Sequence, residues 1–263
     1  MAKLTSEILF KGRLGDVSAY TMKGASGIIL RTKGGATKEK IKTAPQFEMT
    51  RRNCAEFSGC VIAGKALHRA LLSLKHLSDH NFAPHLNGAV RKLQQLNTEG
   101  DLGQRAILLT RYGAMLEGFD LNKTHRLGDI IKPGIACVVN RESGEAAIHL
   151  PALMPGLNFH IPWNNPMFRV VATLSTAKDV TWQNNRFAGA TEPLHAHFPL
   201  HTTAWYKTGQ AMPAQVLQLQ ALAVPADDEA LIISIGMEMG QPGNNGSIKA
   251  ERGKGCARIV KVS

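Results

Sequence analysis

Leu231-Ile232-Ile233-Ser234-Ile235-Gly236-Met237-Glu238-Met239, the turn-rich Gln241-Pro242-Gly243-Asn244-Asn245-Gly246, and Ala257-Arg258-Ile259-Val260-Lys261-Val262 end the chain and decide its class. The first is an apolar run of strand length, the second is punctuation, and the third alternates apolar with other side chains at the period of a strand. Moving toward the N-terminus, Leu217, Leu219, Ala221 and Ala223 alternate with Gln218, Gln220 and Leu222, and residues 168–174 form another continuous apolar run. Residues 135–139 and 146–150 flank Asn140-Arg141-Glu142-Ser143-Gly144, a loop of hairpin length. Six or seven such segments separated by Pro and Gly predict an antiparallel two-sheet β-sandwich over residues 131–263.

Before Lys132-Pro133-Gly134 the period is different. Cys54, Phe57, Val61, Gly64, Leu67, Leu71 and Leu74 recur at spacings of three and four, which predicts one helical stripe. Gly59 and Gly64 lie within it, and each costs an isolated helix about 1 kcal/mol relative to Ala. Their presence predicts close approach by a neighbouring element. Phe82, Leu86, Ala89, Val90, Leu93 and Leu96 predict a second helix, and Leu108, Tyr112, Met115, Leu116 and Phe119 a weaker third. Residues 45–130 are therefore expected to form a short helical layer.

The first 44 residues read as a small β-arm. Ile8-Leu9-Phe10, Val17-Ser18-Ala19-Tyr20-Thr21 and Ile28-Ile29-Leu30-Arg31 are strand-like and are separated by glycines. Two or three short strands are marginal alone, which predicts that the arm lies on the rest of the chain or on a neighbouring molecule. The resulting expectation is an α+β fold in three parts: a basic β-hairpin arm (1–44), a helical region (45–130) and a β-sandwich (131–263).

Charge is concentrated at the front. The first 75 residues hold 14 Lys and Arg against five Asp and Glu, a local +9 of the whole-chain +11. A basic face of this kind can meet nucleic acid or an acidic protein surface. Lys38, Lys40, Lys42, Arg51, Arg52, Lys65 and Arg69 are its candidate phosphate contacts. Only Tyr20 and Phe47 interleave as stacking groups, which is thin for single-strand binding. Cations on exposed hairpins also protect strand edges.

Hydrophobic residues make up 44% of the chain and charged residues 19%, the range of an ordinary folded domain. No stretch reaches the roughly 18 apolar residues of a membrane-spanning helix. Glu7 interrupts the only candidate leader core, so a cytoplasmic location is the default expectation, with leaderless export or incorporation into a particle as alternatives. Cys54, Cys60, Cys137 and Cys256 have neither zinc nor redox spacing and are expected as buried, reduced thiols.

Three stretches carry a resemblance: Phe10-Lys11-Gly12-x-Leu14-Gly15-x-x-Ser18-x-Tyr20 leading to Arg31-x-Lys33-Gly34-Gly35, then Pro45-x-Phe47-x-x-Thr50-Arg51-x-Asn53-x-x-Glu56-Phe57, then Leu116-x-Gly118-Phe119-Asp120-Leu121-Asn122. Together they resemble a family of uncharacterised bacterial proteins that begin with this glycine-turned hairpin and end on a strand like residues 257–262. The resemblance implies an architecture and no catalytic residue.

Chemistry-bearing motifs are sparse. His195-x-His197-x3-His201 is the best metal candidate, since residues 195 and 197 of a strand share a face. His76-x3-His80 would share a helical face. There is no Gly-x-Ser-x-Gly elbow, no P-loop and no isolated carboxylate pair beyond the turn-like Asp227-Asp228-Glu229. The leading expectation is a non-enzymatic structural protein without a cofactor, self-associating into a homo-oligomer or extended assembly through strand edges and the arm residues Phe10, Tyr20, Ile28 and Leu30. A nucleic-acid-binding protein is the alternative, and a metal-dependent hydrolase at the histidines 195, 197 and 201 is third.

Overall fold

A computed structural model describes residues 10–22, 27–32, 34–132, 134–189, 198–243 and 246–263, together with the backbone of residues 2–4. The chain divides into two compact units, Met1–Arg51 and Arg52–Ser263.

The N-terminal unit is a four-stranded antiparallel sheet in the order β1-β4-β3-β2, built from β1 (Ala2–Leu4), β2 (Gly12–Leu14), β3 (Val17–Tyr20) and β4 (Ile28–Thr32). Gly15 and Asp16 make the two-residue turn between β2 and β3, and Gly15 at φ 58° supplies the left-handed backbone such a turn requires. The hairpin partner of β3 is thus residues 12–14. In the strand expected at residues 8–10, Phe10 lies outside any strand, and Ile8 and Leu9 lie outside the described residues. A short helix, α1 (Lys38–Thr43), follows, with the Thr37 hydroxyl accepting from the Lys40 N–H at 3.2 Å as its N-cap. Arg51 satisfies the other end: its Nη1 donates to the carbonyls of Ile41 at 2.8 Å and Ala44 at 2.9 Å.

In the second unit a large antiparallel sheet runs β10-β7-β13-β14. Its strands are β7 (Met167–Lys178), β10 (Leu200–Thr202), β13 (Glu229–Pro242) and β14 (Ile248–Val262), with β11 (Tyr206–Lys207) also on β7. A three-stranded sheet, β12-β6-β5, is made by β5 (Ala136–Asn140), β6 (Glu145–Leu150) and β12 (Gln215–Gln220). A separate hairpin pairs β8 (Thr181–Gln183) with β9 (Arg186–Ala188).

The antiparallel sandwich is built by alternate residues of the central strands. Leu231, Ile233, Ile235, Met237 and Met239 of β13 join Phe168, Val170, Ala172 and Leu174 of β7 in a core closed by Ala146, Ile148, Leu150 and Leu219 of the small sheet. The opposite face sends Ala230, Ile232, Val171, Ala257 and Ile259 against Leu67, Leu71, Leu74, Leu86, Val90 and Leu93. Those last residues come from α2 (Glu48–Ala70), a 3-10 turn (Leu72–Leu77) and α3 (Ala83–Leu96), with the short helices α4 (Leu109–Tyr112) and α5 (Leu127–Ile130) following. Burial on both faces explains why 168–174 and 231–239 are continuous apolar runs rather than alternating ones. Helices and strands of this unit therefore share a core across residue 130.

The edge of β14 is closed by residues 118–121. Gly118 N–H donates to Ile259 O and Leu121 N–H to Ala257 O, both at 2.8 Å, and Ile259 N–H returns to Phe119 O at 3.0 Å. Asp120 holds Arg258 through two bonds of 2.8 and 2.6 Å. Buried Asn122 donates to Leu77 O at 2.8 Å and accepts from Ala257 N–H at 3.1 Å.

The helical stripe keeps its expected second half and departs at its start. Cys54 is exposed, and so is Phe57 at 55%, while Glu56, Gly59 and Cys60 face inward. The reason is electrostatic. Fully buried Glu56 accepts from Arg105 at 2.6 and 2.8 Å, from the Gly103 N–H at 3.1 Å, and from Arg91. Burial alone would raise this carboxyl, but the bonds from Arg105, Gly103 and Arg91 outweigh it and hold the pKa at about 2.

A carboxylate lowered in this way stabilises the fold fully above its unfolded value near 4.5, and the contribution is lost as pH falls through about 2. Glu56→Gln is expected to destabilise the protein at pH 7 by roughly 3 kcal/mol. In urea unfolding, the difference between the wild type and this variant should shrink between pH 4.5 and 2; a difference independent of pH would contradict the role of the charge.

Candidate functional site

The N-terminal unit presents cations with little around them. Lys38, Lys40 and Lys42 are all exposed on α1, which buries no residue. Arg51 is already committed to the α1 carbonyls, so its guanidinium has a structural task. Pairing places Arg13 opposite Ser18 and Ser18 opposite Arg31, so the three form one row on one face of the sheet. The Ser18 hydroxyl donates to Arg31 O at 3.3 Å. Among the described residues no carboxylate pairs with either arginine, and the row borders a cavity of about 270 Å³ that Asp16 also lines.

Of the four arm residues expected at an interface, Ile28 is 5% exposed in β4, and Leu30 is half-buried in the same strand. β4 has β1 and β3 on its two sides, so Ile28 is an interior residue of this unit. Phe10 is half-buried and Tyr20 is exposed. Prominent exposed apolar side chains among the described residues of the unit are ones the sequence reading passed over: Leu14 at 69% exposure, on the outer strand β2, Met49 at 57% and Met22 at 53%.

Lys65 and Arg69 sit in the second unit, one turn apart on α2, and Arg52 is exposed at its start. Lys65 and Arg69 meet a third cation, Arg186 of β9, around a cavity of about 470 Å³ whose remaining lining is Ile62, Phe187, Ala188 and Gly189. Local sequence explains why the floor is there. Asn184 and Asn185 adopt φ 49° and 58°, turning β8 back into β9 as a two-residue hairpin. That turn carries Phe187 onto α2 at Gly59, where a Cβ would stand 2.9 Å from the ring. Trp182 packs edge-on against Phe187, ring centroids 4.9 Å apart. The glycines at 59 and 64 thus mark close approaches, Gly64 to Asn87. Arg186 and Phe187 were missed by the sequence reading; the Asn-Asn pair was the available signal.

Of the three candidate histidines, the structure describes one. His201 lies half-buried on β10 opposite Ala172, while His195 and His197 lie outside the described residues. Among the described residues no three of His, Cys, Asp and Glu gather as metal ligands. His76 instead pairs with Glu238 at 2.5 Å, and Arg169 reaches the same carboxylate at 2.6 Å while lying 4.6 Å over the Trp205 ring. Burial opposes the charge of Glu238, but the bonds from His76 and Arg169 lower its pKa on balance. This network explains a carboxylate inside the run 231–239. Cys60 and Cys256 are buried, with burial pushing Cys60 up to about 11. Cys54 is exposed, against expectation, because it lies on the outer side of α2. Among the described residues no helix is long and apolar enough to cross a membrane.

No family model, no curated protein and no solved structure matches the chain.

The contact between Gly59 and Phe187 generates a test. Ala at position 59 gains about 1 kcal/mol of helix propensity, but its methyl group forces the ring away at an overpacking cost of about 1–3 kcal/mol. Gly59→Ala is expected to lower the melting temperature and to move the Trp182 indole resonance, whereas a stabilised protein with an unmoved resonance would contradict the packing described.

Proposed function

We propose that this protein is a non-enzymatic building block that associates with copies of itself through its N-terminal unit. The observation that carries this reading is the outer edge of the N-terminal sheet, set against the large sheet of the second unit. In the second unit, residues 118–121 lie along β14, and β10 and β11 lie along β7. In the first unit the outer strand β2 has, among the described residues, one strand neighbour, β3, and ends on Leu14 at 69% exposure. A strand edge with an exposed large apolar side chain is a template for pairing with another chain. The cations Lys11 and Arg13 beside it limit the pairing to a partner of suitable register or charge.

Sedimentation velocity of the full chain over a wide concentration range tests the reading. Larger species should grow with concentration in moderate salt, and Leu14→Lys should move the midpoint at least tenfold upward without changing the melting temperature. A monomer at every concentration, or association indifferent to Leu14→Lys, would contradict it.

The row Arg13-Ser18-Arg31, whose arginines pair with no carboxylate among the described residues, and the exposed lysines of α1 favour a second reading, binding of a nucleic-acid backbone. It requires affinity for oligonucleotides that falls steeply with salt. Replacing Lys38, Lys40 and Lys42 together with Gln should then lower the slope of log affinity against log salt; an unchanged slope would remove this reading.

A further inference from the structure

From the cavity on α2 we infer that the second unit binds a small organic phosphate, a ligand with an anionic head and an apolar, preferably aromatic, body. This goes beyond self-association and does not depend on it. The cavity holds about 470 Å³, within the range of roughly 300–1,000 Å³ typical of small-molecule sites. Its lining is divided by chemistry. Phe187 and Ile62 offer an apolar floor, and Lys65, Arg69 and Arg186 supply positive charge from two different elements.

Cations brought to one opening from two elements favour an anion there. Among the described residues, no carboxylate forms an ion pair with Lys65 or Arg186, and both are exposed at the cavity. Elsewhere in this unit, half-buried arginines hold carboxylates: Arg91 and Arg105 meet Glu56, Arg169 meets Glu238 and Arg258 meets Asp120. Lys65 and Arg186 thus reach one opening with an apolar floor from two different elements. Guanidinium forks and an ammonium suit a phosphate dianion, with donors arriving from different directions. A bare inorganic anion would leave the floor unused, because the Phe187 ring is fixed on Gly59 and buttressed by Trp182 rather than free to fold over the head group. The geometry also departs from a nucleic-acid groove, since these cations converge on an enclosure instead of forming a strip.

Trp182 touches the floor and so reports on occupancy. Titrating the full chain with phenyl phosphate should move the Trp182 indole N–H resonance saturably. Inorganic phosphate should bind at least tenfold more weakly, and benzyl alcohol should leave the resonance unmoved at the same concentrations. Arg186→Gln should weaken phenyl phosphate at least tenfold and Lys65→Gln about fivefold, while Lys92→Gln, an exposed change on α3, leaves it unaltered. Because these three side chains are exposed or only line the opening, matching melting temperatures are expected. Absence of a saturable shift would overturn the proposal. So would phenyl phosphate binding no tighter than inorganic phosphate, which is an adventitious ion only, or affinity unchanged in both Arg186→Gln and Lys65→Gln.

Discussion

Strands β7 and β13 are apolar on both faces, and that double burial organises the second unit. A strand pair with two apolar faces is stable in water only if each is covered. Odd-numbered residues from Leu231 to Met239 demand a second sheet, and β5, β6 and β12 provide it. The even-numbered side, through Ala230 and Ile232, demands a helical layer, and α2, the 3-10 turn and α3 provide that. The arrangement makes the helices and the sandwich mutually dependent, since removing either layer exposes the same central strands.

Carboxylates enter this interior with cationic partners, whereas the buried hydroxyls of Thr173 and Ser234, opposite each other on β7 and β13, have no hydrogen-bond partner among the described residues. Glu56 collects Arg91, Arg105 and a backbone N–H, Glu238 collects His76 and Arg169, and Asp120 collects Arg258. Such groups are costly to bury unpaired, so each fixes one helix or loop against one strand. Two of the sequence stretches that carry the family resemblance resolve into these anchors. In Thr50-Arg51-x-Asn53-x-x-Glu56, Arg51 ends α1 and Glu56 seats α2. In Gly118-Phe119-Asp120-Leu121-Asn122, the backbone seals β14 while Asp120 and Asn122 lock it.

The α+β class, the hairpin of β5 and β6 and the long strands were legible because their periodicities are strong and their turns contain Gly, Pro or Asn. The start of the helical stripe was not, since a hydrophobic pattern cannot foresee that Glu56 faces inward while Phe57 faces out; that inversion depends on Arg91 and Arg105, distant in sequence. Closure of the β14 edge by residues 118–121 was hidden for the same reason, as backbone pairing leaves no mark on side-chain composition. At the candidate site, Lys65 and Arg69 could be read from their spacing. Arg186 could not be joined to them without knowing that the Asn184-Asn185 turn folds Phe187 onto Gly59.

What distinguishes the two units is how they treat their exposed features. Among the described residues, the second pairs residues 118–121 with the end of β14 and ties its buried carboxylates to cations, whereas the first leaves β2 and Leu14 open. Amide hydrogen exchange followed at low and at high protein concentration examines this division directly. The account predicts that amides of β2 and β3 gain protection as concentration rises while those of β7 and β13 remain the slowest and unchanged; identical β2 rates at both concentrations would contradict it.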